Sequence, residues 1–271
     1  MNKKVAATLA SLSLLFLNAV PVWAAPASRT FNLPPTADNS PVISLGTAKD
    51  PKSGKLVEGY AIIHFKDNAA RSSAAKSGKN QCYGFLASGA KWKTVEPWLV
   101  NGANTRGLDP TFISNNLSLD IAKWEDAADG VVGNSAGIDI LGSGSLTSDV
   151  LTVDTASPDG QNEVYFADIS TSGAIAVTTV WGIFGGPVSQ RVLVEWDQVY
   201  DDVDFDWSSS GEAGKMDFEN IATHELGHSV GMADLYNLSC ADQTMFGYAN
   251  YGETKKQTLE NGDISGVNQL Y

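Results

Sequence analysis

His224-Glu225-Leu226-Gly227-His228 combines two imidazoles and a carboxylate within five residues. On an α-helix, positions four apart turn through about 400°, so both imidazoles leave one face about a turn apart. That placement suits two nitrogen ligands gripping one tetrahedral zinc ion. Glu225 points to the side of that face, within reach of a water on the metal. Gly231 can adopt a left-handed conformation that ends the helix and turns the chain back, delivering Asp234 as a third ligand. The alternative is that Asp234 holds a ligand histidine without touching the metal. With direct ligation, the fourth position is left to water. The chemistry of such a set is metal-assisted hydrolysis, with Glu225 as general base.

The elements that must position these groups can be read around them. Asp217 is a good N-cap for the helix. Phe218, Ala222, Leu226 and Val230 form one stripe, and Ile221, His224, His228 and Gly231 another. One face is therefore expected on the core, and the other looking into a cleft. Upstream, Asp109-Pro110 starts a helix on which Phe112, Leu117, Ile121 and Trp124 recur, closed by Asp129-Gly130. Trp92, Val95 and Trp98 to Val100 suggest a strand or two, with short apolar breaks at 138–141 and 150–153. Val164 to Ala167, Ala174 to Trp181 and Arg191 to Trp196 read as strands. Strands alternating with two long helices predict an α+β domain.

The 271 residues, 43% hydrophobic and 18% charged, can bury a substantial core. A formal charge of −13 argues against nucleic acid and anionic membrane as partners. Asn2-Lys3-Lys4, the apolar run Val5 to Val20 and the small residues after Pro21 form an export signal over 1–25, with cleavage after Ala24, Ala25 or Ala27. Secretion follows, and no further segment is apolar enough to span a membrane. The two cysteines, Cys82 and Cys240, are then expected as one disulfide. The alternative keeps Cys82 as an inhibitory thiolate on zinc.

Residues 26–80 have linker composition interrupted by the apolar run 59–66, and read as an N-terminal extension or propeptide ahead of a catalytic domain at 81–271. In a strand there, Ile62, His64 and Lys66 share one face and Ala61, Ile63 and Phe65 the other. His64 is expected as a half-exposed strand residue, or as an inhibitory ligand. Asp201, Asp202, Asp204 and Asp206 lie in an acidic stretch that could donate oxygens to calcium, although it lacks EF-hand spacing. The alternating Val199, Val203, Phe205 and Trp207 make an edge strand with a charged outer face the rival reading.

Extended to Asp234, the pattern resembles the metzincin clan of zinc peptidases. Asp in place of the usual third histidine is similar to the snapalysin type and some matrixin-like proteases. Thr244-Met245-Phe246-Gly247-Tyr248 resembles the Met-turn, and Thr258 to Tyr271 the C-terminal helix of matrixin catalytic domains. The resemblance covers about 81–271. It implies a metzincin-like fold with a mixed, twisted sheet, a central active-site helix and a C-terminal helix. It further implies a zinc metalloendopeptidase acting on proteins or peptides, with Met245 as the floor of the site; the sequence does not give the oligomeric state, and a monomer is the expectation. Tyr248 or Tyr251 would steady the oxyanion, and Phe246 to Gly252 would line the primed side. No Pro-Arg-Cys-Gly switch is present. A non-catalytic secreted zinc-binding or adhesion protein is the alternative; it needs a closed four-ligand site, for which Cys82 is the available ligand. A peptidase inhibitor or immunity-type partner would leave Glu225 unexplained.

Overall fold

The computed structural model describes residues 29–34, 40–67 and 81–271. The export signal expected over 1–25 and the stretch 68–80 lie outside the described residues. The first strands are β1 (Thr30–Phe31), β2 (Val42–Lys49), β3 (Leu56–Lys66) and β4 (Trp98–Val100). Helix α1 (Pro110–Asp126) precedes β5 (Gly144–Leu146), β6 (Asn162–Ile169), β7 (Ala174–Ile183) and β8 (Val192–Asp201). The chain closes with β9 (Trp207–Ser208), β10 (Met216–Asp217), α2 (Phe218–Ser229), β11 (Tyr248–Ala249) and α3 (Asn261–Leu270).

Local chemistry sets the helix ends. The Asp109 carboxylate accepts the amides of Thr111 and Phe112, and Pro110, which has no N–H, opens α1 where no donor is needed. Gly130, at φ 90°, stops the 3₁₀ turn that follows. Ile113, Leu117, Ile121 and Trp124 are buried at helical spacing. In α3, Glu260 and Asp263 form a reciprocal capping box.

The main sheet is mixed, in the order β11-β3-β7-β8-β6-β4-β5, with β2 beside β3 and β1 beside β6. Its two faces bury separate clusters. One holds Trp124, Phe218, Leu226 and Val267 from the three helices, packed on Ile62, Val164, Trp196 and Tyr200. The other holds Ile63, Phe65, Tyr165, Val177 and Val199, covered by Leu151 and Val153. The α+β architecture and the C-terminal helix agree with the expected fold.

The sheet draws on both sides of the boundary expected at 80/81. β3 lies between β7, with which it pairs antiparallel from Glu58 to Phe65, and β2. Its far end, Phe65 and Lys66, pairs parallel with β11. The stretches near Trp92 and at 138–141 and 150–153 form no strand beyond β4. Nor is there an edge strand from Val199 to Trp207, because β8 runs between β6 and β7 and stops at Asp201. There the Asp201 carboxylate accepts the amides of Ile169, Val203 and Asp204 and turns the chain out of the sheet.

Cys82 and Cys240 form a disulfide across a separation of 158 residues, so the thiolate alternative is set aside. Replacing both with serine is expected to remove about 2–5 kcal/mol of stability, because the unfolded chain loses a long cross-link. Denaturant unfolding checks this; an unchanged midpoint and slope would count against it.

Candidate active site

Helix α2 begins where the Asp217 carboxylate accepts the amide of Asn220 at 3.0 Å. It packs on the sheet through Ser229, whose hydroxyl accepts from Gln198 of β8 at 3.1 Å. Gly231 then takes φ 107°, and a Cβ there would stand 3.0 Å from both the Ala90 carbonyl and Leu270. The chain therefore folds back along the helix at a residue that must lack a side chain.

The return path orients both histidines. His224 Nδ1 lies 2.7 Å from the Thr244 carbonyl, and His228 Nδ1 lies 2.9 Å from the Met232 carbonyl. A carbonyl can only accept, so each Nδ1 carries the proton, and in the neutral ring Nε2 presents a lone pair. The two Nε2 atoms stand 3.1 and 3.4 Å from one oxygen, Asp234 Oδ1. None of these three buried atoms has a hydrogen-bond partner. Bonds of about 2.0–2.1 Å to a tetrahedral ion put ligand atoms about 3.3 Å apart, which matches. Two nitrogens and a carboxylate oxygen are also a zinc donor set.

Electrostatics follow the same geometry. Burial, then the ammonium of Lys256, pulls His224 down to about 4. Burial lowers His228 as well, but Asp234 outweighs it and holds the imidazole above its ordinary value. For Asp234, burial works against ionisation, yet His228 and His224 hold its carboxyl well below the usual range. Its other oxygen accepts from the Tyr236 hydroxyl at 2.8 Å.

Met245 is fully buried beneath the helix. A Cβ at Gly227 would collide with its sulfur and approach Trp124 to 2.8 Å, so the glycine inside the histidine motif lets this floor come close. The amides of Thr244 and Met245 donate to Asp263 of α3, which ties the turn to the C-terminal helix.

The expected open face is absent. His224, Glu225 and His228 are all fully buried, under β3 and β7. His64 is likewise fully buried, not half-exposed, because the alternation along β3 points it and Ile62 toward α2. Its ring stacks on His224 with centroids 3.9 Å apart. Its Nδ1 lies 3.0 Å from Glu225 Oε1, and Lys256 donates to its Nε2 at 3.0 Å. The Thr178 hydroxyl of β7 donates to Glu225 Oε2 at 2.5 Å. Burial pushes the Glu225 carboxyl up to about 7 and the Lys256 ammonium down to about 8.

Other expected residues fall elsewhere. Tyr248 is buried in β11 with its ring edge-on to Tyr236, 5.3 Å away. Tyr251 is 39% exposed, with the Lys66 ammonium 4.3 Å above its ring. The carboxylates of Asp201, Asp202, Asp204 and Asp206 do not converge as the calcium reading required. Asp201 caps its own turn, Asp202 accepts from the Thr105 amide at 2.6 Å, and Asp206 pairs with Arg106 at 3.0 Å. Tyr236 and Lys256 carried no motif. A tyrosine two residues past Asp234 and a buried lysine become visible only when the chain is folded.

A histidine pair on a helix, a carboxylate folded back onto it and a methionine floor beneath a mixed sheet define a metal-dependent hydrolase. Residues 189–271, the span from just before β8 to residue 271, match the matrixin family, which consists of zinc metalloendopeptidases. The chain is accordingly a zinc metallopeptidase. No curated protein matches it.

Tyr236→Phe keeps the packing but frees the Asp234 oxygen, so zinc affinity is expected to drop about 10–100-fold. Competition with a chromophoric chelator measures this. Unaltered affinity would mean that Tyr236 does not orient Asp234.

Proposed function

We propose that the chain is a secreted endopeptidase in which His224, His228 and Asp234 hold zinc and Glu225 is the general base. The observation that carries the reading is the meeting of three buried, partnerless acceptor atoms at 3.1 and 3.4 Å. Zinc bound there supplies a Lewis acid that polarises the scissile carbonyl and acidifies a water. Glu225 takes a proton from that water as its oxygen bonds to the carbonyl carbon, then delivers it to the amine as the C–N bond breaks. The closed four-ligand alternative loses support, since Cys82 is held in the disulfide. The N-terminal export signature and the disulfide support secretion, and among the described residues no helix is long and apolar enough to cross a membrane.

In the activated enzyme, Glu225→Ala is expected to abolish cleavage of a casein substrate while zinc content stays at one per chain. Full cleavage by that variant would remove Glu225 from the role.

Residues 26–80 are proposed as the propeptide that keeps this site shut. β3 supports this: it fills the slot between β7 and β11, and its His64 occupies one Glu225 oxygen. An extended peptide adding to those edges would need the same backbone groups. A specific protease site engineered between Asp67 and Gln81 tests the arrangement. The intact chain is expected to be inactive on a quenched fluorescent peptide, and cleavage followed by separation of the N-terminal piece to release activity. Equal activity before and after removal would sink the latency reading without touching the zinc assignment.

A further inference from the structure

Lys256 stands in the 3₁₀ turn Lys255–Gln257, and its side chain is fully buried. Its amide donates to the Asn220 side chain of α2 at 2.8 Å, so the turn is fixed to the active-site helix. The ammonium donates to the Phe246 carbonyl and to His64 Nε2, the latter at 3.0 Å. Among the described residues it forms no ion pair: the adjacent Lys255 takes Glu253 at 3.7 Å, and Glu225 is reached only through the His64 ring. An ammonium out of water with no carboxylate against it is unfavourable. Glu253, Asp234 and Glu225 act on it from beyond contact and keep it protonated at neutral pH, although burial pulls it down to about 8.

His64 fills the space between these charges. A lysine can only donate, so His64 Nε2 accepts and Nδ1 carries the proton it gives to Glu225 Oε1. The position belongs to an extended strand: His64 pairs with Ala176 of β7, and the next residue, Phe65, with Tyr248 of β11. An extended peptide that takes the place of β3 on those edges must put a side chain where the imidazole now lies. That side chain adjoins Glu225, the group that acts on the scissile bond, so its residue flanks the bond that is cut.

We propose that Lys256 is a specificity-determining residue: with β3 gone, its ammonium is the floor of a pocket that takes the glutamate side chain of a substrate residue flanking the cleaved bond. The role presupposes the zinc site and the propeptide described above. Glutamate carries its oxygens about as far from Cα as the imidazole carries Nε2, so it can reach the donor that His64 satisfies. Aspartate is one methylene shorter, and lysine or arginine would bring in a second cation. Leucine would fill the space but leave the ammonium unpaired. A site built around a buried donor discriminates strongly against a side chain that offers no acceptor. The nearest negative charges, Glu225 and Asp234, are those that bound zinc would offset.

Two measurements test this role. In the intact, zinc-saturated chain, residue 64 stands in for the substrate residue and no catalysis is involved. His64→Glu is expected to melt above His64→Leu, and Lys256→Met to reverse that order. His64→Leu melting at or above His64→Glu, or an order that Lys256→Met leaves unchanged, would overturn the proposal and reduce Lys256 to a structural tie. The chain nicked between Asp67 and Gln81, with both pieces present, then digests a random peptide mixture whose new termini are sequenced. Glutamate is expected to be favoured about 10–100-fold over leucine at one of the two residues flanking the cut, and Lys256→Met to favour leucine instead. Leucine favoured by the unsubstituted chain, or the same glutamate preference in Lys256→Met, would likewise overturn it. No cleavage by any form, before or after the N-terminal piece is separated, would sink the zinc and latency readings and the proposal with them, which tells the two failures apart.

Discussion

His224 Nε2, His228 Nε2 and Asp234 Oδ1 meet inside the protein with no hydrogen-bond donor between them. Acceptors forced together in a dry interior repel unless a cation satisfies them, and that constraint governs much of the surrounding design. Each contributing group is held by something else. Two backbone carbonyls fix the imidazole tautomers, the Tyr236 hydroxyl fixes the far side of Asp234, and Gly231 makes the fold-back that brings them together. The methionine floor depends in turn on Asp263, so the last helix of the chain supports a site some 35 residues earlier in sequence (263 − 228).

Period-two alternation in the strands divides the chemistry between the two faces of the sheet. In β8, Trp196, Gln198 and Tyr200 face the helices, while Glu195, Asp197 and Val199 face away. A single strand thereby supports the zinc helix on one side and holds two buried acids on the other. β3 obeys the same rule: Ile62 and His64 lie toward α2, and Ile63 and Phe65 enter the far cluster. Its placement turns a histidine with no sequence motif into a contact of Glu225. The three-way link from Lys256 through His64 to Glu225 joins the segment after the Met-turn to the N-terminal segment. In this form of the chain Glu225 is held away from solvent and engaged on both oxygens.

The helix motif, its caps and the strands of the central sheet were legible because local rules produce them. Asp109 and Asp217 cap helices where a carboxylate precedes a helical run, and Gly130 and Gly231 supply positive φ where chain direction must change. The acidic run at 201–206 misled for the opposite reason. Closeness in sequence does not direct carboxylates to one point, and Asp201, Asp202 and Asp206 each found a nearer amide or guanidinium. The acids that do lie together, Asp154, Glu195 and Asp197, come from a loop and two positions of β8, 41 and 43 residues apart in sequence (195 − 154 and 197 − 154).

By itself, the order of residues determined the histidine pair, the glycine turn, the carboxylate that follows it and the partner cysteines, since these depend on spacing along a helix and on composition. Only the tertiary structure decided that the histidine face is covered, that β3 belongs inside the sheet, and that Tyr236, Lys256 and His64 attend the site. Those outcomes rest on long-range strand pairing and burial, and pairing partners far apart in the chain leave no periodic trace in either segment.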